Sequence, residues 1–237
     1  MVFFMFHPAG GSGLTLKGLC NDLSKKGFEC IPIDLPGHGE YSEEDLLYEF
    51  DLGVGYLSRK IRKAMIHREE EYCIVGHSMG GIFAYAVEHR LERNYKMQAH
   101  SVFVMASSPP DKPAGSLIKN PRRISDRELV NEVSKLGGLP EQILESKSLL
   151  KLLCPILRAD FCLLSSYIPR KEQSNGIVAP IVVMLGADDQ IMHLDEIGDW
   201  DKFTESSCKV ISFKGNHFFY QTECESVCKE IIRTCMN

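Results

Sequence analysis

Tyr72-Cys73-Ile74-Val75-Gly76-His77-Ser78-Met79-Gly80-Gly81 decides how this chain is read. Four β-prone residues lead into Gly-x-Ser-x-Gly, and a helical pattern follows as far as residue 92. At ordinary residue frequencies the five-residue motif arises by chance in on the order of one chain in twelve of this length, so alone it says little. Its setting between a strand and a helix says more. A serine there sits on a sharp, strained turn with its hydroxyl above the sheet. Gly76 and Gly80 let strand and helix approach closely. The helix N-terminus favours negative charge developing beside Ser78. The competing reading is a glycine-rich turn without chemistry.

Outward from this turn, short apolar runs alternate with helical patterns. Strands are expected at 2–6, 29–33, 72–75, 101–105, 181–185 and 209–213. Most are nearly continuous apolar runs, as befits strands buried on both faces. Helices are expected at 14–26, 43–66, 79–92, 195–204 and 223–234. The alternation predicts an α/β fold, a mostly parallel sheet flanked by helices. It breaks after Ser107-Ser108-Pro109-Pro110, a loop signal. From there to Gly176 no convincing strand occurs. Ser125-Asp126-Arg127-Glu128 reads as a capped helix start, and 149–167 carries apolar residues at helical spacing. We read 1–106 and 178–237 as one core and 107–177 as a helical lid insertion over the sheet's carboxyl edge, where α/β folds bind ligands.

A serine hydroxyl needs a base. His217 follows the last strand in Lys214-Gly215-Asn216-His217-Phe218-Phe219 and can reach the same edge as Ser78. The base needs an acid to fix its tautomer. Gly186-Ala187-Asp188-Asp189 ends the fifth strand and offers two aspartates, between which the residues alone do not choose. The order serine, aspartate, histidine is that of α/β-hydrolases. An oxyanion hole needs two backbone N–H groups. Met79, after the nucleophile, is one. The other comes from His7-Pro8-Ala9-Gly10-Gly11-Ser12, where Pro8 has no N–H and Ala9 has. His7 reads as a packing residue rather than a second base.

Composition narrows the class. The 237 residues carry a net charge of −5 and no basic run, which argues against nucleic acid. There is no run of 18 apolar residues, hence no membrane span. Nine cysteines without a Cys-x-x-Cys pair read as reduced core thiols in a cytoplasmic monomer. Neither His77 nor His89 has metal-ligand spacing, and no phosphate loop occurs, so no metal or cofactor is expected.

With these residues in view, nearly the whole chain resembles the type II thioesterases of nonribosomal peptide and polyketide synthases. Residues 6–12 resemble their Phe-Pro-His-Ala-Gly-Gly opening, with His7 and Pro8 in swapped order. Leu35-Pro36-Gly37-His38-Gly39 resembles their Pro-Gly-x-Gly turn, although His38 and Glu40 stand where many members have arginines. Gly76–Gly81 matches their elbow. Gly137-Gly138-Leu139-Pro140 and Pro155-Ile156-Leu157-Arg158-Ala159-Asp160-Phe161 resemble two lid segments, the second the more specific. Gly186–Asp189 resembles Gly-x-x-Asp, whose last position implies Asp189 as the acid. Trp200 falls where the family has a tryptophan, and Gly215–Phe219 resembles Gly-Gly-His-Phe-Phe. The resemblance implies hydrolysis of acyl groups from phosphopantetheinyl carrier domains, for editing or product release, with phosphopantetheine as part of the substrate. A general carboxylesterase or lipase-like hydrolase is the alternative, and a non-catalytic binding module a more distant one.

Overall fold

The computed structural model describes residues 1–112, 118–135, 139, 141–169, 176–192 and 198–236. Six strands form one sheet: β1 (Val2–Phe6), β2 (Glu29–Ile33), β3 (Tyr72–His77), β4 (Ser101–Met105), β5 (Ile181–Gly186) and β6 (Cys208–Phe213). Their order is β2-β1-β3-β4-β5-β6, with every pairing parallel. All carboxyl ends therefore share one edge.

The side-chain alternation of β1 shows why the sheet is covered twice. Val2, Phe4 and Phe6 join the core under α2 (Phe50–Met65) and α3 (Met79–Tyr95). Phe3 and Met5 join a second core with residues of α1 (Lys17–Lys25) and of the last helix. That helix is α7 (Cys224–Cys235). Only β2 and β6, at the two edges, carry exposed residues along their length.

The chain between β4 and β5 contains α4 (Asp126–Lys135), α5 (Glu141–Leu144) and α6 (Lys147–Ser166). Gly137, Gly138 and Pro140 of the first expected lid segment lie outside the described residues, as does the start expected for the helix at 195. What is described of the latter is a 3-10 turn, Gly198–Phe203.

Two expected helices are shorter than their patterns. The first divides into a 3-10 turn, Gly13–Leu16, and α1, because Ser12 caps the turn through its side chain. The second begins at Phe50, not at residue 43. The Phe50 N–H donates to Ser166 Oγ of α6 at 2.8 Å, a cap supplied by a distant element.

Two carboxylates on α3 hold the segments leading into β4 and β5. Glu88, fully buried, accepts from the Ala99 N–H at 2.6 Å and from the Tyr72 hydroxyl at 3.0 Å. Glu92 accepts from the N–H groups of Val178 and Ala179 at 2.8 and 2.9 Å. Burial pushes the Glu88 carboxyl up to about 8 from its ordinary 4.5. The native state thus keeps a proton that the unfolded chain releases. This group's contribution to stability is complete below its unfolded pKa and falls as pH rises toward about 8. Glu88→Gln, which cannot ionise, should flatten that part of the stability curve. Calorimetric melting from pH 5 to 9 checks this, and an unaltered slope in the variant would contradict it.

Candidate active site

Ser78 sits between β3 and α3 with φ 54° and ψ −116°, a conformation that costs a non-glycine residue on the order of 1–3 kcal/mol. Its surroundings impose the strain. The Ser78 N–H donates to the carbonyl of Met105 at the end of β4, and the Ser78 carbonyl accepts from Gly81. Gly80 lies so close to β1 that a Cβ there would meet the Phe6 carbonyl oxygen at 2.2 Å. Half-buried, Ser78 uses no hydroxyl bond to cap α3.

His217 arrives on the loop after β6. Its Nδ1 lies 2.8 Å from Asp189 Oδ2, and both residues are buried. The other Asp189 oxygen accepts from the N–H groups of Ile191 and Met192. Burial works against the Asp189 charge. The His217 bond and the two N–H donors outweigh it and hold the carboxyl below its ordinary value. Asp188, the other candidate, is exposed. The two loops are joined through backbone, with the Ala187 N–H donating to the Phe213 carbonyl and the Asp188 N–H to that of Gly215. Gly186 permits this, since a Cβ there would meet the Asn216 oxygen at 2.2 Å.

The residue before the serine has a part that the sequence reading missed. His77 Nε2–H donates to the His217 carbonyl at 2.8 Å, and its ring packs on Tyr220 and Phe218. Burial, with repulsion from His217, pushes its pKa down to about 3, so the ring is neutral. It ties the serine turn to the histidine loop. Among the described residues no cluster could hold a metal ion.

In the loop after β1, almost every N–H is committed. Pro8 has none. Gly10 donates to Asp160, Gly11 to the Pro8 carbonyl, Ser12 to Thr15 Oγ1 and Gly13 to Asp34. That leaves Ala9 as the N–H of residues 8–13 with no partner among the described residues. Met79, the first residue of α3, has an N–H without an intrahelical acceptor. Of the two N–H groups expected from the sequence, Ala9 thus lies in the loop after β1 and Met79 in the first turn of α3. His7 is a packing residue: Nδ1–H donates to the Pro8 carbonyl, and Nε2 accepts from the Leu35 N–H.

Helix α6 closes over this loop. Leu153 and Leu157 pack against Gly10. A cleft of about 460 Å³ opens there, lined by Ala9, Leu153, Leu157 and Ile143 on one side and by Asn216 and Phe218 on the other. The two charges of the Pro155–Phe161 stretch have separate tasks. Arg158 reaches the Pro121 carbonyl and Asp126 at the start of α4. Asp160, wholly buried, binds the Gly10 N–H and His38. A carboxylate inside an apolar helix is the signal that could have marked Asp160.

The thioesterase domain model matches residues 2–235. Linear gramicidin dehydrogenase LgrE of Brevibacillus parabrevis is 26% identical over 235 residues, covering 96% of this chain and 84% of its own. Thioesterase PikA5 of Streptomyces venezuelae is 24% identical over 240 residues, covering 95% and 82%. Among solved structures, ClbQ from the colibactin NRPS/PKS pathway has a TM-score of 0.88 at 26% identity, over 98% of this chain and 95% of that one. The type II thioesterase BorB, at 23% identity and a TM-score of 0.85, covering 99% and 92%, shares the fold. With the family model spanning nearly all of its length, the chain belongs to the thioesterase family.

Proposed function

We propose that the protein is a serine thioesterase that hydrolyses acyl groups from the phosphopantetheine arm of carrier domains in a peptide or polyketide synthase. The observation that carries this is the His217–Asp189 bond on the edge where the strained Ser78 turn lies. Ser78 Oγ attacks the thioester carbonyl, and His217 Nε2 takes its proton. Asp189 accepts from Nδ1–H, which leaves Nε2 free to act as base, and it stabilises the imidazolium that forms. The N–H groups of Met79 and Ala9 hold the oxyanion. The thiolate leaves readily, so its protonation matters less than in amide cleavage. Water then attacks the acyl-enzyme, with His217 as base.

The chain supplies every group this chemistry needs and requires no cofactor. Phosphopantetheine belongs to the substrate. The substrate class draws support from the NRPS/PKS pathway named for ClbQ and from the thioesterase PikA5. Hydride transfer, which the name of LgrE would suggest, asks for a Gly-x-Gly-x-x-Gly turn. That pattern occurs nowhere in the chain. No described helix is long and apolar enough to cross a membrane, and all nine cysteines are free, which suits a reducing cytoplasm.

Ser78→Ala and His217→Ala should each lower kcat about 10³-fold or more, and Asp189→Asn by a comparable factor. Asp188→Asn should stay within about threefold, as expected of an exposed residue away from the reacting atoms. A larger loss in Asp188→Asn than in Asp189→Asn would overturn the choice of acid. Parallel kcat/KM measurements on acyl-carrier thioesters and matched oxygen esters test the substrate class. Thioesters should be preferred, and faster turnover of the oxygen esters would sink the reading.

A further inference from the structure

His38 lies outside the proposed triad, yet its surroundings are unusual for a buried histidine. It follows the turn after β2, and two per cent of it is exposed. Its Nδ1 is 3.0 Å from the Pro36 carbonyl oxygen, and its Nε2 is 3.1 Å from Asp160 Oδ2. A carbonyl can only accept, and so can a carboxylate. A neutral imidazole has one N–H and cannot serve both. His7 makes the contrast. Its ring centroid is 4.8 Å from that of His38, and it faces one acceptor and one donor, the arrangement of a neutral ring.

We propose that His38 and Asp160 form a proton-dependent latch that positions the oxyanion loop, so that full turnover requires the proton the pair holds. The pair is an imidazolium beside a carboxylate. It holds one proton more than a neutral ring facing a carboxylate. Without it, either the Pro36 bond or the Asp160 bond is lost, and lone pairs face each other in a site closed to water.

The latch reaches the chemistry through one residue. Asp160 Oδ2 also accepts from the Gly10 N–H at 2.7 Å, next to Ala9. The carboxylate of α6 therefore fixes the peptide that follows the oxyanion donor. The far end of the loop is fixed separately, by Asp34 on the Gly13 N–H. His38 and Asp160 are positioning residues, and the proposal rests on the oxyanion role given to Ala9 above.

The charged and titratable groups facing His38 are Asp160 from α6, His7 from the end of β1 and Asp34 from the end of β2. Burial pushes the His38 ring toward neutrality. The Asp160 charge and hydrogen bond, with the Pro36 carbonyl and Asp34, outweigh it and hold its pKa above the ordinary imidazole value. His7 is held below that value by burial and by His38, so the two rings are not both charged. The latch is intact below the His38 pKa and opens as pH rises through it. Turnover should then fall on the alkaline side, and that alkaline limb belongs to the latch.

Asp160→Asn separates positioning from mere packing. Its carboxamide oxygen can accept from Gly10, and its NH₂ can donate to a neutral His38 Nε2, while Nδ1–H keeps the Pro36 bond. The Gly10, His38 and Pro36 bonds are then all made with no titrating proton. Asp160→Ala should lower kcat about 10- to 100-fold, less than the about 10²- to 10³-fold of an oxyanion donor removed outright, because the donor is displaced and not deleted. Asp160→Asn should recover most of that loss and lack the alkaline limb. The experiment is kcat against pH on an acyl-pantetheine thioester, together with long-range ¹H–¹⁵N spectra of ¹⁵N-histidine protein, with His38 assigned from His38→Gln. Both His38 nitrogens should be protonated at pH 7 and titrate together with the alkaline limb. A neutral His38 tautomer at pH 7, or an unchanged alkaline limb in Asp160→Asn, would overturn the proposal. If wild type turned over no thioester, the functional reading would fail, while the His38 spectrum would still decide the protonation of the latch.

Discussion

Everything at the carboxyl edge depends on how closely α3 approaches the end of β1. Gly80 brings the first turn of the helix against the Phe6 carbonyl, where a single methyl group would collide. That approach forces Ser78 to positive φ and sets its turn beside the loop that begins at His7. The strain is offset by what surrounds it. The Met105 carbonyl takes the serine N–H, and both faces of β1 and β3 are sealed by apolar side chains. A turn costing about 1–3 kcal/mol persists where its neighbours leave no alternative.

Around this turn, three buried carboxylates anchor the loops. Asp189, Asp160 and Asp34 each accept from backbone N–H groups, and the first two also bind a histidine. Breaking such a buried pair by removing one partner commonly costs about 3–5 kcal/mol, because the remaining charge stays out of water. The arrangement therefore stabilises loop positions more than it adds net stability. Three buried histidines take three different roles. His217 is held by an acid through Nδ1, His77 is neutral and grips the His217 carbonyl, and His38 bridges two acceptors.

Much of this was legible in the chain. The strands stand out because a parallel sheet covered on both sides needs continuous apolar runs. The serine turn stands out because only glycine fits at Gly76 and Gly80. Pro8 directs attention to Ala9 because proline has no N–H to give. What was not legible depends on distant partners. The start of α2 is set by Ser166, and its own sequence has no cap to announce it. His38 and Asp160 are 122 residues apart, and neither has a local pattern that names the other. Asp189 over Asp188 came from family resemblance; in the structure Asp189 is buried beside His217 and Asp188 is exposed.

The central claim is that Ser78 forms the acyl-enzyme. Intact-mass spectrometry after exposure to an alkyl fluorophosphonate, followed by peptide mapping, tests it directly. One adduct on the peptide holding Ser78, absent from Ser78→Ala, is the predicted result. An unmodified protein, or an adduct on another residue, would contradict the account.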